Sequence, residues 1–208
     1  MGSWVILELL MQLSNRQRAI IVGTLLGDGC LERNGTNVRL RLEHSIKQKQ
    51  YLLWKYKELQ ELITGQPMKI HAFHKKQQCF YDSLRTCTFS NDTFESYWNV
   101  FYPNAKKVLP SNISELLTDP LSVAVWFMDD GYKRNDCNAF RLSTESFQKS
   151  EQQKLCEVLK QNFDIESTLH KKGRWWNIYI PCKSSKRFVE IVRPYIIPSL
   201  TYKIALAP

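Results

Sequence analysis

Residues 21–29 read IVGTLLGDG, and residues 123–131 read VAVWFMDDG. Each is an apolar run closed by Asp-Gly. Setting Asp28 on Asp130 fixes an offset of 102 residues. The same offset lays Val38-Arg39-Leu40 on Phe140-Arg141-Leu142, Lys47 on Lys149 and Leu53 on Leu155. A matching phrase closes each half at a shorter offset, Leu109-Pro110-Ser111 and Ile197-Pro198-Ser199. One Asp-Gly dipeptide is an ordinary turn. An offset that holds through a helix, a strand and another helix marks an internal repeat.

Read outward from the two motifs, each half follows the order α-β-β-α-β-β-α. Ser14 is placed to cap the first helix, with Gln17 completing a capping box. Gly23 lies inside that helix, where glycine costs about 1 kcal/mol relative to alanine. The cost makes sense if another helix backbone comes close there. Asn34-Gly35 signals a type I′ hairpin. Val38, Leu40 and Leu42 then alternate with Arg39, Arg41 and Glu43, a strand with one buried and one charged face. A helix over residues 45–63, strands near 68–75 and 79–89 and a helix over 92–102 complete the half. The second half repeats the order. A helix runs from Leu121 to Asp130, and Phe140 and Leu142 alternate with Arg141 and Ser143. A helix over 149–162 follows, then a hairpin turning at Lys171-Lys172-Gly173, and a last helix near 184–193. The expected fold class is α+β, with two pseudo-symmetric αββαββα halves. The halves span residues 1–102 and 121–208. Residues 103–120 link them, with three prolines and a short helix after Ser111.

An aspartate at the C-terminal end of an apolar helix meets the negative end of the helix dipole. Two such helices related by pseudo-symmetry would bring Asp28 and Asp130 close, and like charges repel unless a cation or proton sits between them. A divalent metal removes the conflict. Magnesium binds carboxylate and phosphate oxygens together. The pair therefore suits metal-assisted phosphodiester hydrolysis, in which metal polarises the phosphate and activates a water.

The chain has 208 residues with 29 Lys plus Arg against 20 Asp plus Glu, a net charge of +9. A hydrophobic fraction of 43% buries a real core and excludes a disordered chain. The basic excess points to an anionic partner, nucleic acid first. Six cysteines form no C-x-x-C pair and no disulfide framework, which suits a reducing compartment. His71, His74 and Cys79 match no zinc spacing. The apolar stretch Trp4 to Leu13 holds Glu8 and is too short to span a bilayer. It has neither the basic start nor the cleavage site of a signal peptide. Ile6 breaks a myristoylation pattern. An extra helix packed on the body is expected there, and no membrane partner.

The two motifs resemble those of LAGLIDADG homing endonucleases of the single-chain, intron-encoded type, and WFMDDG is the more specific. The resemblance continues through Ala105-Lys106-Lys107-Val108-Leu109-Pro110 and through Pro194-Tyr195-Ile196-Ile197-Pro198 to Tyr202-Lys203. It covers roughly residues 17–204. Gly27 and Val125 depart from the family name, and both acidic positions are intact.

The resemblance implies two central motif helices with Asp28 and Asp130 at their DNA-facing end, and saddle-shaped antiparallel sheets in the major groove. It implies a cut of both strands across the minor groove that leaves short 3′ overhangs. It implies Mg2+, with Mn2+ or Ca2+ able to substitute in binding, held by Asp28, Asp130 and the peptide oxygens of Gly27 and Asp129. Lys107 and Lys203 match the basic residues that support the catalytic centre. Strand parity turns Arg39, Arg41, Arg141 and Ser143 outward onto DNA, where Arg suits guanine edges and phosphates. Lys69, His71, Lys75, Arg85, His170, Lys172, Arg174, Asn177 and Tyr179 are further DNA-binding candidates on the hairpins. The expectation is a monomeric, site-specific double-strand endonuclease acting on a long asymmetric target. An RNA-binding maturase acting on its own intron, or a regulator that binds DNA without cutting, is the alternative. The compartment is expected to be intracellular: an organelle, mitochondrion or chloroplast, or a bacterial cytoplasm.

Overall fold

The computed structural model describes residues 13–75 and 77–206. The extra N-terminal helix expected over Trp4 to Leu13 lies, apart from buried Leu13, outside those residues. In chain order the helices and strands are α1 (Asn15–Leu26), β1 (Cys30–Asn34), β2 (Asn37–Ser45), α2 (Lys49–Glu58), β3 (Met68–His74), β4 (Cys79–Cys87), α3 (Asp92–Phe101), α4 (Ile113–Leu116), α5 (Pro120–Asp130), β5 (Gly131–Lys133), β6 (Phe140–Leu142), α6 (Lys149–Phe163), β7 (Thr168–Lys172), β8 (Trp175–Ile180) and α7 (Cys182–Val192). None of the described helices is long and apolar enough to cross a membrane.

The chain divides into two compact units. One joins Asp28–Trp98 to the residues up to Gln17, and the other joins Arg18–Gly27 to the residues from Asn99 onward. Most of α1 therefore belongs with the C-terminal elements.

The first unit is built on an antiparallel sheet ordered β1-β2-β4-β3. The alternation read from β2 holds: Val38, Leu40, Leu42 and His44 are buried, and Arg39, Arg41 and Glu43 are half-buried. The helix α2 packs on β2 and β4 and buries Tyr51 and Leu52. Two details differ from expectation. Asn34 pairs with Asn37, which leaves Gly35 and Thr36 as the turn, and only Gly35 has a positive φ, +66°. That is the glycine-first pattern of a type II′ turn and not type I′. The single helix expected over 45–63 is instead a 3-10 turn at Ile46–Gln48, α2, and a second 3-10 turn at Gln60–Leu62. Ser14 and Gln17 form the expected capping box: the Gln17 N–H donates to Ser14 Oγ at 3.1 Å, and the Ser14 N–H donates to Gln17 Oε1 at 3.0 Å.

The second unit carries a sheet ordered β5-β6-β8-β7. The helix α6 packs on β7 and β8, and α7 packs on α5 and β8. Its core holds Phe127, Phe140 and Phe188, whose rings meet at 4.9–5.6 Å. The helix α5 starts on Pro120 with Asp119 capping the Leu121 N–H. It is buried on every side from Leu121 to Asp129, as an apolar helix in the middle of a fold must be.

The close helix approach anticipated at Gly23 is present. A β-carbon at Gly23 would stand 2.4 Å from the Ser122 carbonyl oxygen and 2.7 Å from Val125 Cβ, so α1 and α5 pack backbone to backbone. At Gly27 a β-carbon would stand 2.6 Å from both Cβ and Oδ2 of Asp129. Two glycines, four residues apart on one helix face, are what let the two motifs touch.

Candidate catalytic and nucleic-acid site

The contact between the motif helices organises the site. Gly27 follows α1 with its N–H on the Gly23 carbonyl at 3.1 Å, and the chain passes directly into Asp28. Asp129 lies over Gly27 and is nearly buried, whereas its neighbour Asp130 is partly open to solvent. The Asp130 carbonyl accepts from the Ser143 N–H at 3.0 Å, which ties the end of α5 to the strand after it.

Both lysines singled out by sequence reach this region. Lys107 donates to the Gly27 carbonyl oxygen at 2.8 Å. Lys203, buried in the 3-10 segment Pro198–Ile204, donates to the Met128 carbonyl oxygen at 2.6 Å. Lys203 thus holds the peptide one residue before the Asp129 oxygen expected in the metal shell. Each motif ends with an ammonium group on a helix-end carbonyl, where the helix dipole favours positive charge.

In the first unit, Asp28 follows the helix as an exposed residue. Its Oδ2 lies 3.8 Å from Nδ1 of His44, whose side chain is 2% exposed. Sequence reasoning missed His44. The signal was present, because His44 continues the buried series Val38, Leu40, Leu42 on β2.

The candidate DNA-binding residues divide by strand register. On the first sheet Glu32 pairs with Arg39, Arg41 with Cys87 and Glu43 with Arg85, so the three arginines share one face. They do not stand alone there. Glu32 takes Arg39 at 2.7 Å and Arg41 at 3.0 Å, and Glu43 takes Arg85 at 2.8 Å. Burial works against the charge on Glu43, but hydrogen bonds from Ser83 and Arg85 outweigh it and hold the carboxyl below its usual range. The register puts Lys69 and His71 on the other face of the sheet from the three arginines. They stand opposite Leu84 and Asp82, are exposed, and both pair with Asp82 at 2.7 Å. Lys75 is exposed beside the β3–β4 turn.

On the second sheet, Arg141 pairs with Tyr132 and Tyr179, and His170 pairs with Asn177. Arg141, Tyr179, Asn177, His170 and Lys172 thus share a face, as expected. Tyr179 stacks on His170 at 3.9 Å. Arg174 lies over the Trp175 ring at 4.7 Å, and Lys172 is 4.0 Å from Glu145. Ser143 is half-buried just beyond β6. Asn177 is fully buried, and among the described residues neither end of its amide has a hydrogen-bond partner.

Two motif helices that pack backbone to backbone, each closed by Asp-Gly, are the shared feature of the repeat. The chain belongs to the LAGLIDADG DNA endonuclease family, whose model matches residues 18–188. It is 31% identical to cytochrome b mRNA maturase bI2 of Debaryomyces hansenii over 89% of this chain and 72% of that protein. It is 29% identical to the DNA endonuclease I-ChuI of Chlamydomonas applanata over 94% of this chain and 97% of that one. The solved structure of homing endonuclease I-WcaI bound to its DNA recognition sequence superposes with a TM-score of 0.85 at 25% identity. That match covers 100% of this chain and 96% of that one.

Proposed function

We propose that this chain is a site-specific homing endonuclease that hydrolyses both strands of a long, asymmetric DNA target as a monomer, with Mg2+ as its working metal. The observation that carries the reading is the seating of Asp129 against Gly27, which packs the two motif ends together immediately before Asp28 and Asp130 in the chain. The donor chemistry fits a hard divalent cation. Carboxylate and peptide oxygens predominate, and a β-carbon at Gly27 would fill the space that the Asp129 carboxylate occupies.

Asp28, Asp130 and the peptide oxygens of Gly27 and Asp129 would hold the metal. When bound, a divalent cation supplies Lewis acidity toward phosphate and a water of lowered pKa. Lys107 and Lys203 keep positive charge beside the motif ends while their carbonyl partners hold them in place. Fixed charge of this kind stabilises the negative charge that grows on a phosphate during hydrolysis. Arg39, Arg41 and Arg85 on one sheet and Arg141 on the other supply the DNA-binding faces. Their unlike surroundings support an asymmetric target read by unequal half-sheets. Incubation with DNA spanning the intron insertion site, with and without Mg2+, tests the reading; metal-dependent linear product is expected.

A second reading, an RNA-binding maturase that assists splicing of its own intron, has one observation in its favour: the Debaryomyces hansenii relative is named a maturase. Splicing stimulation of the intron transcript without DNA cutting would favour it. One relative, from Wickerhamomyces canadensis, is named a probable intron-encoded endonuclease, which supports an intron-encoded origin in either an organellar or a bacterial genome.

A further inference from the structure

The imidazole of His44 stands in an unusual position for its chemistry. Histidine seldom continues a run such as Val38, Leu40, Leu42 on the buried face of a strand, because its ring nitrogens need partners. The ring packs on Tyr51, with centroids 4.8 Å apart, and Tyr51 is fully buried. The Lys55 ammonium sits 4.6 Å from the Tyr51 ring and is also fully buried. A ring clamped this way has little freedom to reorient. Its Nδ1 points to Asp28 at 3.8 Å, beyond hydrogen-bond length yet within the reach of two ligands to one ion.

The repeat supplies a contrast. The offset that sets Asp28 on Asp130 sets His44 on Ser146, which is exposed. The second motif has no imidazole at the matching position.

We infer that His44 supplies an imidazole nitrogen to the metal held by Asp28. The first motif's metal site then has mixed nitrogen and oxygen donors, and the second has oxygen donors. This rests on the reading of Asp28 as a metal ligand. Imidazole raises affinity for the later first-row divalent metals, whereas magnesium is served by oxygen alone. The two sites therefore differ in metal preference, and one strand's cleavage responds to the choice of metal more than the other's.

The test uses the full chain and Mn2+ alone, read by pulsed electron paramagnetic resonance. Wild-type protein should show strong coupling of bound Mn2+ to a nitrogen nucleus. Incorporation of 15N-labelled histidine should convert the coupling to the 15N pattern. His44→Gln should remove it and weaken Mn2+ binding by about tenfold or more. The chain has four histidines. Should His44→Gln fail to fold, the combined variant His71→Gln, His74→Gln, His170→Gln keeps His44 as the sole histidine and should retain the coupling. Absence of histidine coupling in wild type, or its survival in folded His44→Gln, overturns the inference. Asp28→Asn should lower the number of Mn2+ ions bound. If it does not, the reading of Asp28 itself fails. If it does while wild type lacks histidine coupling, only the role of His44 fails.

Discussion

The α-carbon of Gly27 faces the Asp129 carboxylate so closely that a methyl group there would stand 2.6 Å from Asp129 Oδ2. Gly27→Ala should therefore move the Asp129 side chain and the Gly27 peptide. DNA cleavage should fall while DNA binding persists. Cleavage at the wild-type rate with unchanged binding would show that this contact does not shape the site.

Gly23→Ala probes the same helix contact where no catalytic group is near. Alanine gains about 1 kcal/mol of helix propensity. Overpacking typically costs about 1–3 kcal/mol, occasionally more. The obstacle is the Ser122 backbone oxygen at 2.4 Å, which no side-chain rotation relieves, so the cost should win. Urea unfolding should show a lower midpoint with an unchanged slope. A raised midpoint would mean the helices separate at little cost.

Glu32 binds both Arg39 and Arg41 and so occupies two of the basic groups on the first sheet's outward face. Glu32→Gln should free both for phosphate. Non-specific DNA binding should tighten, and its salt dependence should steepen by about one to two counterions. The pairs are a quarter to a third exposed, so folding stability should change little. Unchanged affinity and slope would place DNA elsewhere.

Lys203→Met leaves the Met128 carbonyl without its buried donor, and Lys107→Met does the same to Gly27. Losing a buried partner costs about 1–3 kcal/mol. The loss should be larger at Lys203, which is the more buried of the two. Cleavage should fall by about 10²–10³ if the ammonium stabilises transition-state charge. Thermal melts and cleavage time courses on the two variants separate the effects. Wild-type cleavage rates in both would remove the lysines from the catalytic account.

The Arg134 hydrogen bond holds the Asp136 carboxyl down to about 2. Because the folded value lies below the ordinary 3.8, the pair favours the folded loop above that pH and loses its effect as pH falls through about 2. An NMR titration of the Asp136 carboxyl should have its midpoint near 2 in wild type. It should return toward 3.8 in Arg134→Ala. A wild-type midpoint near 3.8 would mean that the pair does not form in solution.

The repeat, the motif helices and the strand faces of β2 and β6 were legible because each rests on local pattern. Val38, Leu40 and Leu42 announce their own face, and Gly23 announces a close neighbour. What local pattern does not settle is register between strands. Met68 standing opposite Arg85 puts Lys69 and His71 on the other face from the arginines, and nothing inside β3 fixes that pairing. His44 escaped notice because its meaning depends on a tertiary neighbour, Asp28. Asn177 shares a face with Arg141 and is nonetheless covered, since burial on a sheet face depends on side chains from adjacent strands.

The central claim is that Asp28 and Asp130 serve the chemistry and not the recognition of DNA. Asn keeps the size of each side chain and removes the charge that holds a divalent cation. Cleavage of a supercoiled plasmid bearing the target, followed with Asp28→Asn and Asp130→Asn beside wild type, resolves nicked from linear product on one gel. Each variant should bind the target and lose linear product by orders of magnitude. Nicking in one variant would mean that each aspartate serves its own strand, and loss of both cuts would mean that the metal is shared. If both variants linearise the plasmid at the wild-type rate, the assignment of these two aspartates is contradicted.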